Sequence, residues 1–233
     1  MSEHIVTSFD DDLKELAQRI SEAGGLAERA VDRSVQALIT LDTAAARKVI
    51  EDDDRIDALQ HEIEEKAVLT IARRQPMAQD LREIMAAINI ANDLERVGDL
   101  AKNTAKRVIA IGAQFQPQQF VHGVEHLAEL AMEQLKNVLD SYVARDVDQA
   151  LTVWRRDDEI DGLYTSLFRE LLTYMMEDPR NISFCTHLLF CAKNIERIGD
   201  HATNIAETIY YLITGEQWDE PRQSSTQVEG IED

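Results

Sequence analysis

Four carboxylates stand in this chain where apolar residues are due, and four more follow them one helical turn later. Leu81, Ile84, Ile88 and Ala91 step by three and four residues, as one face of a helix does, and the next two members of the series are Glu95 and Gly98. Ile182, Cys185, Leu189 and Ala192 repeat the pattern and lead to Glu196 and Gly199. Val49, Ile56 and Ile63 frame Asp53 in the same way, and Val153, Ile160 and Leu167 frame Asp157. Each of these acids is succeeded four residues later by another, at Asp99, Asp200, Asp57 and Asp161, so every pair shares a helix face. Like charges at that spacing disfavour a helix by about 0.2–0.5 kcal/mol per pair, and a buried unpaired carboxylate costs several kcal/mol or takes up a proton. Four carboxylates converging from two helices suit a cation with hard oxygen ligands, such as magnesium, calcium or manganese, and could also hold iron or zinc. Gly98 and Gly199 each give up about 1 kcal/mol of helix propensity relative to Ala, which is understandable if a neighbouring backbone or an ion comes close.

A single acidic i, i+4 pair is ordinarily a solvated face; four pairs in two matched sets favour a site. Arg96 and Arg197, each directly after its Glu, read as surface ion-pair partners. Asn103 and Asn204 continue the line, either as amide oxygen donors or as parts of a polar network. His201 adjoins Asp200, but Leu100 holds the equivalent place, so shared chemistry cannot depend on it; all six histidines read as surface or packing residues. Cys185 and Cys191 lie six apart among Phe184, Leu188, Leu189 and Phe190, which fits reduced core thiols and no Cys-x-x-Cys motif.

The elements that position these acids are written twice. Ala91–Ala105 aligns with Ala192–Ala206 at an offset of 101 with eight identities in fifteen, and Asp53–Leu59 aligns with Asp157–Leu163 at an offset of 104 with five in seven. Each copy reads as three helices. In the first copy they cover about 10–40, 42–74 and a span from beyond Pro76 to 111, with Asp42 as N-cap; Gly112 and Pro117 mark the link. In the second they cover about 118–144, 146–177 and 179–214, with Asp146 and Gln149 at capping-box spacing and Pro179 in a first turn. The fold class is therefore all-α: two tandem three-helix bundles, residues 8–113 and 117–215, packed side by side, then a polar tail over 216–233 expected to be disordered.

Composition sets further bounds. Nine Gly and four Pro in 233 residues agree with helix, and 24 basic against 44 acidic residues leave a net charge of −20. Such a chain repels nucleic-acid phosphates and anionic lipid, leaving cations and basic protein surfaces as partners. No secretory signal and no apolar run of roughly 20 residues is visible, so a soluble cytoplasmic protein is expected. A ferritin-like oxidase would need Glu-x-x-His, but Ala58, Gln119, Gly123, Phe184 and Ile198 stand three before the candidate histidines. Phosphate-loop and G-x-S-x-G motifs are also missing, so no enzyme is expected.

The stretches LERVGDLAKNTA and IERIGDHATNIAE resemble the third-helix signatures of the PhoU family, and DDRID and DDEID resemble its second-helix acidic motif. The likeness runs from about Phe9 to Thr214. It implies paired three-helix bundles whose acids, here Asp53, Asp57, Glu95, Asp99, Asp157, Asp161, Glu196 and Asp200, bind metal: magnesium or manganese in some members, multinuclear iron or zinc in others. It further implies a negative regulator of the phosphate-starvation response that couples a phosphate-specific ABC transporter, through its PstB-type ATPase, to a PhoR-type sensor kinase and modulates uptake. A homodimer is implied as well.

Overall fold

The computed structural model describes residues 2–112 and 121–220, with side chains from Phe9 onward. Among these residues every regular element is helical. The first copy comprises α1 (Ser2–Thr40), α2 (Thr43–Asp52), α3 (Asp54–Arg74) and α4 (Gln79–Ile111). The second comprises α5 (His122–Ala144), α6 (Val147–Arg155), α7 (Asp157–Glu177) and α8 (Ile182–Thr214), with a short 3₁₀ turn at Pro179–Asn181 before α8. α1 begins well ahead of the expected Asp10. The Pro117 link and the tail from Pro221 lie outside the described residues. Within the stretch expected to be disordered, Trp218 packs edge-on against Trp154 and Tyr210, with ring centroids 5.4 and 5.0 Å apart.

The middle helix of each copy, expected to be continuous, is interrupted beside its first acid. Asp53 keeps helical dihedrals, but its carbonyl accepts from Ile56 at 2.8 Å as well as from Asp57 at 3.3 Å. Arg156 opens to ψ 1° and its N–H is shared between Thr152 and Val153 carbonyls. A turn tightened to three residues rotates the chain beyond it, which aims α3 and α7 across the bundle.

Asp42 and Asp146 are N-caps as expected: Asp42 accepts from the Ala44 and Ala45 N–H groups at 2.9 Å, and Asp146 from Gln149 at 3.0 Å. The chain reversals after α1, α3 and α5 run through Leu41, Gln75 and Arg145 at φ near +50°, where glycine is usual. These non-glycine left-handed residues each cost about 1 kcal/mol, offset by the packing of the helices they join.

α4 and α8 form the centre of the molecule. They share its most extensive contact and run antiparallel, Asp93 meeting Asn204 and Thr104 meeting Asn194; α1 lies against α4, and α5 lies against α8. Ile84, Ile90, Leu94 and Val97 on α4 are fully buried, as are Leu188, Ala202, Ile205 and Ile209 on α8. Each large apolar side chain so buried contributes about 1.5–3 kcal/mol. One hydrophobic core runs through both copies. Leu81 and Ile182, the first members of the apolar series, are instead exposed, because they sit in the first turn of α4 and of α8, where no helix covers them. Cys185 and Cys191 are free and buried, and burial pushes the Cys191 thiol up to about 12.

Candidate functional site

The tightened turn and the glycines bring the acids together. An added Cβ at Gly98 would lie 2.9 Å from Ile56 Cδ1 and 3.3 Å from Asp53 Oδ1, so the missing side chain is what lets the Asp53 turn approach α4. Gly199 repeats the contact with Ile160 Cδ1 at 2.9 Å and Asp157 Oδ1 at 3.8 Å. The result is a carboxylate quartet on each copy. In the first, Asp53, Asp57 and Asp99 each raise the Glu95 pKa through their charge, behind the larger effect of burial. In the second, Asp161 and Asp200 act likewise on Glu196.

Burial is uneven between the copies. Asp53 is buried in the first and Glu196 in the second, while Glu95 and Asp157, their counterparts across each pair of helices, are only half-buried, as are Asp57, Asp99, Asp161 and Asp200. Burial pushes the Asp53 and Glu196 carboxyls up, against the pull of a lysine beside each. Lys102 Nζ donates to Asp53 Oδ2 at 2.5 Å and reaches Asp99 Oδ1 at 3.5 Å. Lys193 Nζ donates to Glu196 Oε1 at 2.5 Å. The other oxygen of each buried acid, Asp53 Oδ1 and Glu196 Oε2, is buried with no hydrogen-bond partner.

These lysines escape a search for duplicated residues, because position 203 in the second copy is Thr and position 92 in the first is Asn. Their signal is the i, i+3 spacing of Lys102 from Asp99 and of Lys193 from Glu196. Arg96 meets its expected role, 3.3 Å from Glu95 and 3.6 Å from Asp99. Asn103 accepts from Lys106 at 3.3 Å and Asn204 donates to Asp93 at 3.4 Å, so both belong to polar networks. His201 bonds Asp93 at 2.9 Å across the two copies, a connection the sequence does not announce.

The donor set fits a hard cation chemically: oxygen-only, partly desolvated, with an unpartnered buried oxygen in each quartet. As the side chains stand, Asp53 and Glu196 are turned toward lysine ammonium groups, and among the described residues no three His, Cys, Asp or Glu side chains close on one point. An ion would have to displace Lys102 or Lys193 and draw the acids inward.

These features define a class: a duplicated three-helix protein in which each copy carries a carboxylate quartet whose buried member is bonded to a lysine. The PhoU domain model matches the chain twice, over residues 20–108 and 124–209. A "phosphate-specific transport system accessory protein PhoU homolog" of Rhizobium meliloti is 65% identical over 214 residues, 92% of this chain and 90% of that protein. A protein of the same description from Caulobacter vibrioides is 48% identical over 217 residues, 93% and 94% of the two chains. The crystal structure of PhoU from Pseudomonas aeruginosa superposes with a TM-score of 0.84 at 38% identity, covering 89% of this chain and all of that one. The phosphate transport system regulatory protein PhoU from Streptococcus pneumoniae superposes at 0.83 with 28% identity, covering 91% of this chain and 100% of its own. The chain belongs to the PhoU family.

Proposed function

We propose that this protein is a negative regulator of the phosphate-starvation response. It works in the cytoplasm, as a homodimer, by contact with a phosphate-specific transporter through its PstB-type ATPase and with a PhoR-type sensor kinase, and it restrains uptake without turning over a substrate. The observation that carries the reading is the pair of carboxylate quartets on a duplicated PhoU scaffold, together with relatives described as accessory to phosphate-specific transport. No helix among the described residues is long and apolar enough to cross a membrane; in this reading the protein reaches the membrane transporter through protein contacts.

The quartets Asp53, Asp57, Glu95, Asp99 and Asp157, Asp161, Glu196, Asp200 are the residues that would hold divalent or multinuclear metal (magnesium, manganese, iron or zinc). When bound, the metal supplies a cross-link between the middle and third helices of a copy. The chain's own part is to supply oxygens and to withdraw Lys102 and Lys193. The lysine contacts also support a second reading, in which the ammonium groups replace metal altogether; metal analysis of protein purified without chelator or affinity-tag metal separates the two.

Deleting the gene should leave phosphate-starvation promoters active in abundant phosphate. A starvation-gene reporter in phosphate-replete deletion cells with the transporter intact measures this, and a silent reporter contradicts the assignment.

A further inference from the structure

The α4–α8 seam carries two clefts that the duplication makes equivalent and the side chains make opposite. One, of about 730 Å³, has Asp93 and Glu207 in its wall. The other, of about 370 Å³, is lined by Asn103, Lys106, Arg107 and Asn194 together with Ala110. At the offset of 101, Asn103 matches Asn204, Asn194 takes the place of Asp93, and Lys106 and Arg107 take the places of Glu207 and Thr208. One frame thus presents two carboxylates at one end and two cations at the other.

The basic cleft is organised. The Arg107 guanidinium lies over the Phe190 ring, 4.1 Å from its centroid. Stacking occupies only the face of the guanidinium and fixes its plane, leaving the N–H groups pointing outward from the edge. Lys106 Nζ donates to Asn103 Oδ1 at 3.3 Å, and among the described residues neither cation is paired with a carboxylate. Asn194 is held in the wall by a bond from its amide to Thr104 Oγ1 at 3.4 Å. Beside Arg107, the buried His187 Nδ1 has no hydrogen-bond partner. Burial and then the charge of Arg107 hold that imidazole low.

We propose that the cleft formed by Asn103, Lys106, Arg107 and Asn194 binds a phosphate group, free or as a small ester. A fixed planar fork, a mobile point charge and two carboxamides present donors from several directions, which is what a tetrahedral dianion requires. The net charge of −20 works against anions only at long range, because screening shortens that field to about 8 Å at physiological salt, and recognition is decided inside the cleft. The inference does not rest on the regulatory reading.

The test is calorimetric titration of the full chain with inorganic phosphate and, separately, with AMP, at constant ionic strength and with chelator present so that metal cannot hold the anion. Saturable binding of either is expected. Binding of phosphate alone identifies the free ion, binding of AMP alone identifies an ester, and both sustain the site. Lys106→Ala/Arg107→Gln should weaken binding by at least about tenfold, whereas Asn89→Ala, in the wall of the acidic cleft beside Asp93, should leave it intact. Asn194→Asp places in this cleft the side chain its counterpart already has and should abolish binding; it decides the matter if the double variant fails to fold. No saturable binding of either probe, or undiminished binding by a folded variant of the basic cleft, overturns the proposal.

Discussion

Asp53 and Glu196 are each satisfied on one oxygen by a lysine and unsatisfied on the other, so the quartets lie between a salt-bridge network and a cation site. Replacing Glu95 and Asp99 by Gln and Asn should lower divalent-metal content while the fold survives, since neutral amides weaken the ligands as they relieve repulsion. Metal analysis beside far-UV circular dichroism checks both halves, and unchanged metal content would return these acids to a solvated face. The same residues give stability a pH dependence. Asp53, Glu95 and Glu196 have raised pKa values, chiefly from burial, so the folded chain holds protons that the unfolded chain has already released. Their contribution is fully present below the ordinary values of 3.8 and 4.5 and is lost as pH climbs through the raised ones. Asp12, Glu15 and Glu133, lowered mainly by bonds to Lys66 and Arg156, act oppositely but only below their own ordinary values. In chelator, melting temperature should therefore rise as pH falls from neutral toward these ordinary values, and the rise should shrink in Asp53→Asn/Glu196→Gln. An equal rise in the variant would show that these two acids are not its source.

At the scale of elements, the caps and the interruptions divide between what a sequence announces and what it conceals. Asp42→Ala removes two bonds to backbone N–H groups at the start of α2 and should cost about 1 kcal/mol in denaturant unfolding. That cap is legible, as are the duplication, the third helices and the shared face of each acid pair, because side-chain type and period specify them directly. The tightened turns at Asp53 and Arg156 are not. Asp53 keeps helical dihedrals, and the change is a redistribution of backbone bonds that no Gly or Pro marks. The reversals at Leu41, Gln75 and Arg145 are hidden for the same reason, since tertiary packing imposes the left-handed conformation on residues that do not favour it. Lys102 and Lys193 each stand in only one copy, so the duplication that exposes the acids is silent for the side chains that neutralise them.

At the scale of the molecule, charge and symmetry govern how a partner meets it. With 44 acidic residues against 24 basic, association with a basic partner surface should weaken as salt rises above about 0.15 M. Binding of the candidate transporter ATPase measured across a salt series checks this, and salt-independent affinity would point to an apolar contact instead. The antiparallel α4–α8 seam has a different consequence. A repeat paired with a separate, identical copy of itself must carry the same side chains at both ends of the seam. Joined in one polypeptide, the two ends are free to differ, and here one has become acidic and the other basic. The frame keeps the economy of a dimer yet has acquired a head and a tail, and a body with a head and a tail can be seated by its neighbours in one orientation only.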